Sequence, residues 1–283
     1  MIVLYILLGI FVLMAVVGLI KKPSSVYMNK PQEKNPVEGK KVRFIENPDE
    51  KANADGVCGH LEAVGMADGK RSLYDRFVKR MIDVILSFMG LLLLSPVLLG
   101  LSLWIVIDDP GPILFTQKRL GRDKQFFKLH KFRSMKMSTP HDKPTHMLEN
   151  PEQYITKSGK FIRAHSLDEL PQIWDIFIGN MSVVGPRPGL WNQDLLTAER
   201  DKWGANDVKP GLTGWAQING RDELEIPVKA KLDGEYTEKL KKGGITALKM
   251  DIKCFLGSVG VFGGDKSVVE GGTGEIHKKE QGK

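Results

Sequence analysis

Residues 84–107 read VILSFMGLLLLSPVLLGLSLWIVI, and this charge-free run decides the architecture that we predict for the chain. Its 24 residues are enough for a helix to enter or cross a membrane, since a helix of ~20 residues spans the hydrocarbon core. Asp83 precedes the run, and Asp108 and Asp109 follow it, so charged residues bound it on both sides. We therefore predict a membrane-associated domain built around this segment.

The midpoint of the run carries Ser95 and Pro96. Proline removes one backbone donor from a helix and clashes with the preceding turn, so it forces a kink. The Ser95 hydroxyl can bond back to a freed carbonyl group, which makes a bend tolerable in lipid. Basic residues crowd both flanks, so both ends are expected on one side of the membrane. These features predict a helix, a break and a returning helix; an ordinary kinked membrane span is the alternative.

A second apolar run, residues 2–20, contains no charge and is followed directly by Lys21 and Lys22. Its length fits a transmembrane helix, and its flanks do not fit a cleavable signal peptide. We predict an N-terminal transmembrane anchor over residues 1–21. The positive-inside tendency then puts the rest of the chain in the cytoplasm.

The remainder of the chain divides by composition. Residues 22–71 hold four prolines and many charges, so we predict a cytoplasmic linker with a short strand near residues 42–45. Residues 72–265 form the main domain. Residues 266–283 are predicted to be a polar C-terminal tail.

Overall composition excludes several classes of protein. With 41 Lys and Arg against 34 Asp and Glu, the net charge is +7, and 42% of the residues are hydrophobic. This balance excludes a wholly disordered chain and argues against a membrane protein with many spans. Cys58 and Cys254 are the only cysteines, so there is no disulfide framework. The sequence has no Walker loop, dinucleotide fingerprint, HExxH or CxxC motif.

A basic hairpin is predicted after the apolar run. Residues 113–120 and 126–135 are strand-like, and residues 121–125 read as the turn between them. Eight basic residues lie between residues 116 and 136, with one acid, Asp123: Lys118, Arg119, Arg122, Lys124, Lys128, Lys131, Arg133 and Lys136. Such a stretch suits phospholipid headgroups or a phosphorylated ligand; nucleic acid and a merely solvated face are the alternatives. Adjacency to the apolar run favours the membrane.

Three helices are predicted further along the chain. Apolar residues recur at helical spacing over residues 167–178, with an end at Gly179. Residues 190–203 suggest a second helix. Residues 245–262 carry an apolar stripe opposite two lysines, which fits either an interfacial amphipathic helix or a core-facing one.

The tetrapeptide Ser166-Leu167-Asp168-Glu169 has two interpretations. As a capping box, Ser166 and Glu169 would cap a helix start. Pro171 follows closely, however, and its missing donor predicts an irregular first turn. Adjacent carboxylates at such a turn can supply a nucleophile and a Mg²⁺ ligand. Spacing alone favours capping.

Two arginines near this tetrapeptide are candidates to bind phosphate. Arg163 precedes Asp168 by five residues, and prolines flank Arg187 on both sides within Gly185-Pro186-Arg187-Pro188. Surface arginines in salt bridges are the alternative. Residues 209–215, KPGLTGW, form a turn-rich loop whose backbone donors and Trp215 could frame a base or a sugar.

Seven stretches of the chain match a known pattern in the same order. They are residues 79–83 (KRMID), 95–96 (SP), 111–115 (GPILF), 131–135 (KFRSM), 166–172 (SLDELPQ), 184–188 (VGPRP) and 209–215 (KPGLTGW). In these stretches the chain resembles the small monotopic phosphoglycosyl transferases of the bacterial sugar transferase family, over about residues 72–262. Each stretch is weak by itself, and the ordered set is highly specific.

The resemblance implies a fold and a reaction. The fold is an α+β, mostly helical monotopic membrane domain with a re-entrant kinked helix, interfacial amphipathic helices and a small β-hairpin, here with an extra N-terminal transmembrane helix. The reaction is transfer of a sugar 1-phosphate from a UDP-sugar to polyprenyl (undecaprenyl) phosphate through a covalent aspartyl-phosphosugar, with release of UMP. It would initiate cell-surface glycan synthesis at the cytoplasmic face of the bacterial inner membrane.

The resemblance also implies roles for single residues. Asp168 is the expected nucleophile, and Glu169 is the expected Mg²⁺ ligand, with Asp168 as a second candidate ligand. Arg163 and Arg187 are expected to steady phosphates. Lys131 and Arg133 of the basic hairpin are further candidates for the substrate phosphate or nucleotide.

The expected partners are the UDP-sugar, the polyprenyl phosphate and membrane phospholipid; nucleic acid is not expected, and a homo-oligomer is left open. Two other functions remain as alternatives: a direct glycosyltransferase that releases UDP, and a non-catalytic membrane-bound scaffold that binds anions or nucleic acid.

Overall fold

The computed structural model describes Gly9 and residues 34–139, 151–220 and 224–262. Helices and strands are mixed in these ranges, and helices predominate, so the predicted α+β class is confirmed. The predicted N-terminal anchor, apart from Gly9, and the polar tail at residues 266–283 lie outside the described residues.

Helices make up most of the described chain. A π-helical turn, Tyr74–Val78, leads directly into the longest helix. The α-helices are α1 (Lys79–Asp108), α2 (Lys157–Ala164), α3 (Gln172–Ile178), α4 (Asp194–Lys202), α5 (Trp215–Ile218), α6 (Ile226–Lys242) and α7 (Gly244–Phe262). The 3₁₀ turns are Arg122–Lys124, Pro151–Tyr154, Leu167–Glu169 and Ala205–Asp207.

The strands pair two by two. They are β1 (Lys40–Glu46), β2 (Gly59–Met66), β3 (Leu114–Leu120), β4 (Phe126–Phe132), β5 (Ser182–Val184) and β6 (Gly211–Thr213). β1 pairs antiparallel with β2, β3 pairs with β4, and β5 pairs parallel with β6. The β3–β4 pair confirms the predicted hairpin. The other two pairs were not foreseen as sheets.

The chain divides into two compact units. Within the described ranges, the first unit comprises residues 84–118, 128–139 and 151–178. The second unit comprises residues 34–83, 119–127, 179–220 and 224–262.

The first unit has an apolar core along α1. Leu98, Ile105, Phe132 and Ile162 are at most 2% exposed and belong to one cluster. Partly buried residues around the turn at Leu167 and along α3 pack against it. The apolar spacing predicted for residues 167–178 therefore corresponds to a real buried face, and the segment ends at Gly179, whose φ of 96° continues no helix.

The proline in α1 does not interrupt the helix, which continues from Lys79 to Asp108. The predicted break is therefore absent, and the predicted return of the segment within one leaflet stays a prediction. The Ser95 hydroxyl donates to the Leu92 carbonyl at 2.8 Å. This is the carbonyl whose usual i+4 donor is missing at Pro96. The predicted back-bond is confirmed, and it explains how the helix continues.

Many large apolar side chains of α1 remain exposed, including Leu93 at 65% and Ile107 at 79%. Among the described residues, one helical stretch, Tyr74–Asp108, is long and apolar enough to cross a membrane by length and composition. This agrees with the membrane association predicted from residues 84–107. The helix ends before Pro110, which disfavours helical backbone at the residue that precedes it.

The second unit buries charged side chains. Lys124 is fully buried and its Nζ lies 2.9 Å from Asp201 Oδ1, while Arg200 Nη2 lies 2.7 Å from Asp233 Oδ2. Asp251 on α7 accepts from Lys79 Nζ and from the Tyr74 hydroxyl at 2.9 Å each. Because a buried charge needs a partner, each of these pairs ties distant parts of the sequence together.

The predicted linker is folded where the structure describes it. β1 extends over the predicted short strand at residues 42–45, and β2 pairs with it. The Val42 N–H of β1 donates to Asp201 Oδ2 on α4 at 2.8 Å. The linker prediction is corrected for this part, because the prolines that suggested a linker lie on either side of β1 and do not interrupt it.

The apolar stripe predicted on residues 245–262 faces outward on α7. Leu248, Ile252 and Phe255 are 37–48% exposed, whereas Ala247 and Cys254 are fully buried. Of the two alternatives, the core-facing helix is therefore wrong for these three residues. An amphipathic helix with an exposed apolar face remains.

Candidate functional site

The turn Leu167–Glu169 presents the two candidate carboxylates as a single 3₁₀ turn. Ser166 before it has a φ of 53°, in the left-handed region that a non-glycine residue rarely adopts. Its side chain makes no capping bond, so the capping box is wrong. The predicted irregular turn is confirmed: the Leu170 N–H donates to the Leu167 carbonyl at 3.2 Å, and the imino group of Pro171 cannot.

Lys131 from β4 joins the two carboxylates. Its Nζ lies 3.2 Å from Asp168 Oδ2 and 3.2 Å from Glu169 Oε1. The side chains of Asp168, Glu169 and Lys131 are 6%, 13% and 13% exposed. The structure therefore brings three of the predicted site residues together in a nearly buried cluster, which we call the acid pair and its lysine. These three groups alone carry one net negative charge.

The cluster has the chemistry of a nucleophile and of a cation ligand. An ionised carboxylate oxygen with limited exposure can attack an electrophilic phosphorus atom. The carboxylates also offer the hard oxygen donors that Mg²⁺ takes, typically one or two beside substrate phosphate oxygens. In the described ranges, no group of three or more His, Cys, Asp or Glu side chains could hold a metal by itself. The donor set fits a Mg²⁺ ion shared with a phosphorylated substrate.

The backbone of β4 is held next to this cluster by α3. Asp175 is fully buried, and its Oδ2 accepts the His130 N–H at 2.9 Å. Its Oδ1 lies 2.8 Å from the ring Nδ1 of His130. Neither residue was singled out from the sequence, because a lone aspartate in an amphipathic helix gives no signal of its own.

Arg133 pairs with the residue that directly follows α1. Its Nη1 is 2.6 Å from Asp109 Oδ2, and its Nη2 donates to the Asp109 carbonyl. Burial lowers the pKa of this guanidinium, and Asp109 opposes that shift. The structure thus links Arg133 to the segment after α1; its predicted role at phosphate stays a prediction.

The two other arginines fall in different units. Arg163 is half-buried on α2, and within the described ranges its guanidinium has no ion-pair partner. Arg187 is half-buried in the second unit, between buried Pro186 and Pro188. Their predicted contacts with substrate phosphate stay predictions.

The basic hairpin is not a free cationic surface. Arg122 pairs with Asp75 at 2.8 Å and Lys124 with Asp201, while Lys131 and Arg133 pair as described above. The acids that neutralise these cations come from distant sequence. At least four of the eight cations are thus paired within the protein, and the predicted contact of this stretch with an anionic surface stays a prediction.

A second group of cations surrounds Lys209 in the second unit. Gly179 has a φ of 96°, which favours glycine, and a Cβ atom there would lie 3.2 Å from Arg80 Nη2 and 3.4 Å from Lys209 Nζ, so both cations lie beside this residue. Burial, followed by the charges of Arg80 and Arg122, lowers the pKa of Lys209 to about 8. Lys209 opens the KPGLTGW loop, but its crowding by other cations was not predictable from spacing.

Comparison with known proteins identifies the family of this chain. A family model described as "Bacterial sugar transferase" matches residues 74–263, which is more than half of the chain. The chain therefore belongs to the bacterial sugar transferase family, as its seven ordered stretches indicated.

Several relatives support this assignment. The UDP-glucose:undecaprenyl-phosphate glucose-1-phosphate transferase of Escherichia coli (strain K12) is 40% identical over 183 residues, which are 62% of this chain and 39% of that protein. The undecaprenyl-phosphate galactose phosphotransferase of Salmonella typhimurium is 34% identical over 190 residues, 60% of this chain and 38% of that protein. The chain thus spans about two fifths of the length of these two relatives.

A shorter relative is matched almost completely. The exopolysaccharide production protein PSS of Rhizobium leguminosarum bv. phaseoli is 33% identical over 194 residues, 65% of this chain and 94% of that protein. The similarity therefore extends over nearly the whole length of this relative. The acid pair and its lysine all lie within residues 74–263.

Proposed function

We propose that this protein transfers a sugar 1-phosphate from a UDP-sugar to undecaprenyl phosphate, or a similar polyprenyl phosphate, and releases UMP. The observation that carries the proposal is the nearly buried acid pair and its lysine, within the region that matches the family. The names of two relatives contain undecaprenyl phosphate together with glucose 1-phosphate in one and galactose in the other.

The reaction proceeds in two displacements. In the first, an Asp168 carboxylate oxygen attacks the phosphorus that bears the sugar; the bond between this phosphorus and the oxygen that bridges to UMP breaks, and UMP leaves with the electron pair. In the second, a phosphate oxygen of the polyprenyl phosphate attacks the same phosphorus, and the Asp168 carboxylate leaves. The product is a polyprenyl diphosphate sugar, so phosphorus and charge balance over the two steps.

The other members of the cluster prepare Asp168 for this attack. Lys131 contacts both carboxylates, so it lowers their mutual repulsion and fixes Asp168 Oδ2 in direction. Glu169, with Asp168 as the second candidate, would hold Mg²⁺. The ion, when bound, offsets negative charge on the diphosphate, as cations do in phosphoryl transfer generally.

The two substrates explain why such an enzyme is built on an apolar helix. A nucleotide sugar is water-soluble, whereas a polyprenyl phosphate is buried in lipid except for its headgroup. Their phosphates meet only at the membrane surface. The exposed apolar side chains of α1 and α7 are suited to this location, and we propose the cytoplasmic face of the bacterial inner membrane. Such a lipid-linked sugar would begin a cell-surface glycan.

The test uses the full chain in detergent or lipid vesicles with undecaprenyl phosphate, Mg²⁺ and a panel of UDP-sugars. We expect UMP release with at least one sugar, and a mass increase of one phosphosugar on the protein when the acceptor is omitted. Asp168→Asn should remove both signals, a loss of at least about 10³-fold in turnover, since nucleophile removal has effects of that size. Asp49→Asn, the same chemical change at an exposed position, is the matched control.

Each other outcome has a distinct meaning. Release of UDP would indicate a direct glycosyltransferase. Anion binding that survives Asp168→Ala and Glu169→Ala, with no turnover in the unmutated protein, would indicate a scaffold. Near-normal turnover of Asp168→Asn would exclude Asp168 as the nucleophile.

A further inference from the structure

Asp175 makes an unusual pair of contacts with a single residue. Its carboxylate is fully buried in α3 and accepts the His130 backbone N–H at 2.9 Å through Oδ2. The other oxygen, Oδ1, lies 2.8 Å from His130 Nδ1. One carboxylate therefore holds both the backbone and the ring of His130, which is itself 7% exposed. We call this arrangement the Asp175 clamp.

The clamp joins the two segments that meet at the acid pair. His130 directly precedes Lys131 on β4, and Asp175 follows Asp168 by seven residues, about two helical turns. A hydrogen bond to the backbone of β4 fixes the strand itself, whereas a lysine side chain with four rotatable carbon–carbon bonds fixes little. The clamp thus fixes the backbone position from which the Lys131 side chain reaches both carboxylates.

We propose that Asp175, acting through His130, is a positioning residue for Lys131 and hence for the nucleophile. This inference rests on the proposed function, because Lys131 matters for catalysis only if Asp168 is the attacking group. Asp175 touches no substrate in this scheme. Its effect is on the two 3.2 Å contacts of Lys131 Nζ.

The hydrogen-bond pattern defines a conservative variant. With aspartate, Nδ1 of His130 must carry the hydrogen that is donated to Oδ1. In Asp175→Asn, the amide oxygen can still accept the His130 N–H, and the amide nitrogen can donate to Nδ1 of the other ring tautomer. Both contacts survive in Asp175→Asn, and both are lost in Asp175→Ala.

The activity test compares these variants in the full chain. We expect Asp175→Ala to lower kcat by about 10–100-fold with KM for the UDP-sugar within about threefold, since misplaced catalytic geometry has costs of this order. Asp175→Asn should stay within about threefold of the parent in kcat. His130→Ala, which keeps the backbone bond and loses the ring contact, should fall between them.

A double-mutant cycle separates positioning from general loss of structure. If Asp175 acts through Lys131, adding Asp175→Ala to Lys131→Ala should change kcat less than about twofold, because interacting residues are not additive. Asp108→Ala is the matched control, since Asp108 likewise accepts a backbone N–H and a side-chain donor, both from Ser158, in the same unit. It should lower Tm without lowering kcat.

A second readout does not depend on turnover. The rate of reductive methylation of Lys131, measured by mass spectrometry without substrate, should rise several-fold in Asp175→Ala and stay near the parent value in Asp175→Asn. If the parent shows no transfer but this labelling pattern holds, the proposed function fails and the clamp stands. If the parent turns over, three results would each overturn the positioning role. Asp175→Ala could keep the kcat of the parent, or its effect on kcat could be additive with that of Lys131→Ala. Alternatively, Asp175→Ala could leave the labelling rate of Lys131 unchanged.

Discussion

Two buried regions of this protein differ in the side chains that they hold. Along α1 in the first unit an apolar cluster keeps Leu98 and Phe132 almost fully buried. In the second unit paired charges are buried beside another apolar cluster, such as Lys124 with Asp201 and Arg200 with Asp233. When apolar contacts are removed, the free energy of unfolding falls gradually. When one partner of a buried ion pair is removed, it falls steeply, because the other partner is left as an uncompensated charge. The apolar cluster of the first unit and the buried ion pairs of the second should therefore respond differently to single substitutions.

The largest effect is expected from Asp251→Ala in the second unit. Asp251 accepts from Lys79, Tyr74 and Tyr236. Its removal leaves the buried Lys79 ammonium group and the Tyr74 hydroxyl without this acceptor, whereas the Tyr236 hydroxyl can still donate to the Val184 carbonyl. We expect a loss of about 3–5 kcal/mol in the free energy of unfolding. Denaturant titration in detergent measures it, with Glu238→Ala, from an exposed pair with Lys242, as the control that changes it by less than about 0.5 kcal/mol. A loss below about 1 kcal/mol for Asp251→Ala would contradict the contrast between the units.

Leu98→Ala tests the hydrocarbon interior of the first unit. Leu98 is fully buried on α1, so truncation leaves a cavity that costs about 2–4 kcal/mol. Leu93→Ala, on the same helix but 65% exposed, should cost far less in detergent. Equal losses for the two variants would show that α1 does not form the core described for this unit.

Ser95→Ala probes a polar requirement within the apolar helix α1. The Leu92 carbonyl loses its donor in this variant, because Pro96 cannot replace it, and we expect a cost of about 1–2 kcal/mol. Ser102→Ala is the control: the Ser102 hydroxyl donates to Leu98, whose carbonyl also has a regular helical donor. When the two variants are measured side by side, the thermal midpoint of Ser95→Ala should lie below that of Ser102→Ala. The same midpoint for both would contradict a special role for Ser95.

The smallest effect is expected from Lys209→Met, and it depends on pH. The pKa of Lys209 is lowered to about 8 from 10.5. Between these values the unfolded chain binds more protons than the folded one, so stability rises with pH through this window. At pH 7 the methionine variant should therefore have a Tm about 2–4 °C above the parent. The Tm difference between Lys209→Met and the parent should shrink as the pH is raised from 8 toward 10.5. If the two curves of Tm against pH run parallel, the prediction is wrong.

Much of the first unit was predictable from local sequence. The charge-free run identified α1, and Ser95 next to Pro96 predicted the back-bond that the structure contains. The sequence favoured a break in α1 and kept an ordinary kinked span as the alternative, because the strength of that single bond cannot be judged from the pair of residues alone. In the second unit, Lys79 and Asp251 are 172 residues apart, and local patterns carry no information about such partners.

In the candidate site, too, local features were predictable from the sequence and contacts between distant residues were not. Asp168 and Glu169 were found from their spacing and from the family resemblance, and Lys131 from its basic hairpin. That these three meet depends on how β4 packs beside α3, which Asp175 helps to fix. A buried aspartate in a short helix has no sequence signature, so the clamp became visible only in three dimensions.

The β1–β2 hairpin bears on where the protein can be shortened. It lies ahead of residues 74–263, so a minimal version trimmed to the family match would omit it. Val42 donates to the carboxylate that also binds Lys124, and Asn35 donates to the Lys124 carbonyl. Trimming would uncover a lysine that is now fully enclosed, and water would compete for its partner. We therefore expect a version that begins before Asn35 to be more stable than one that begins at residue 74.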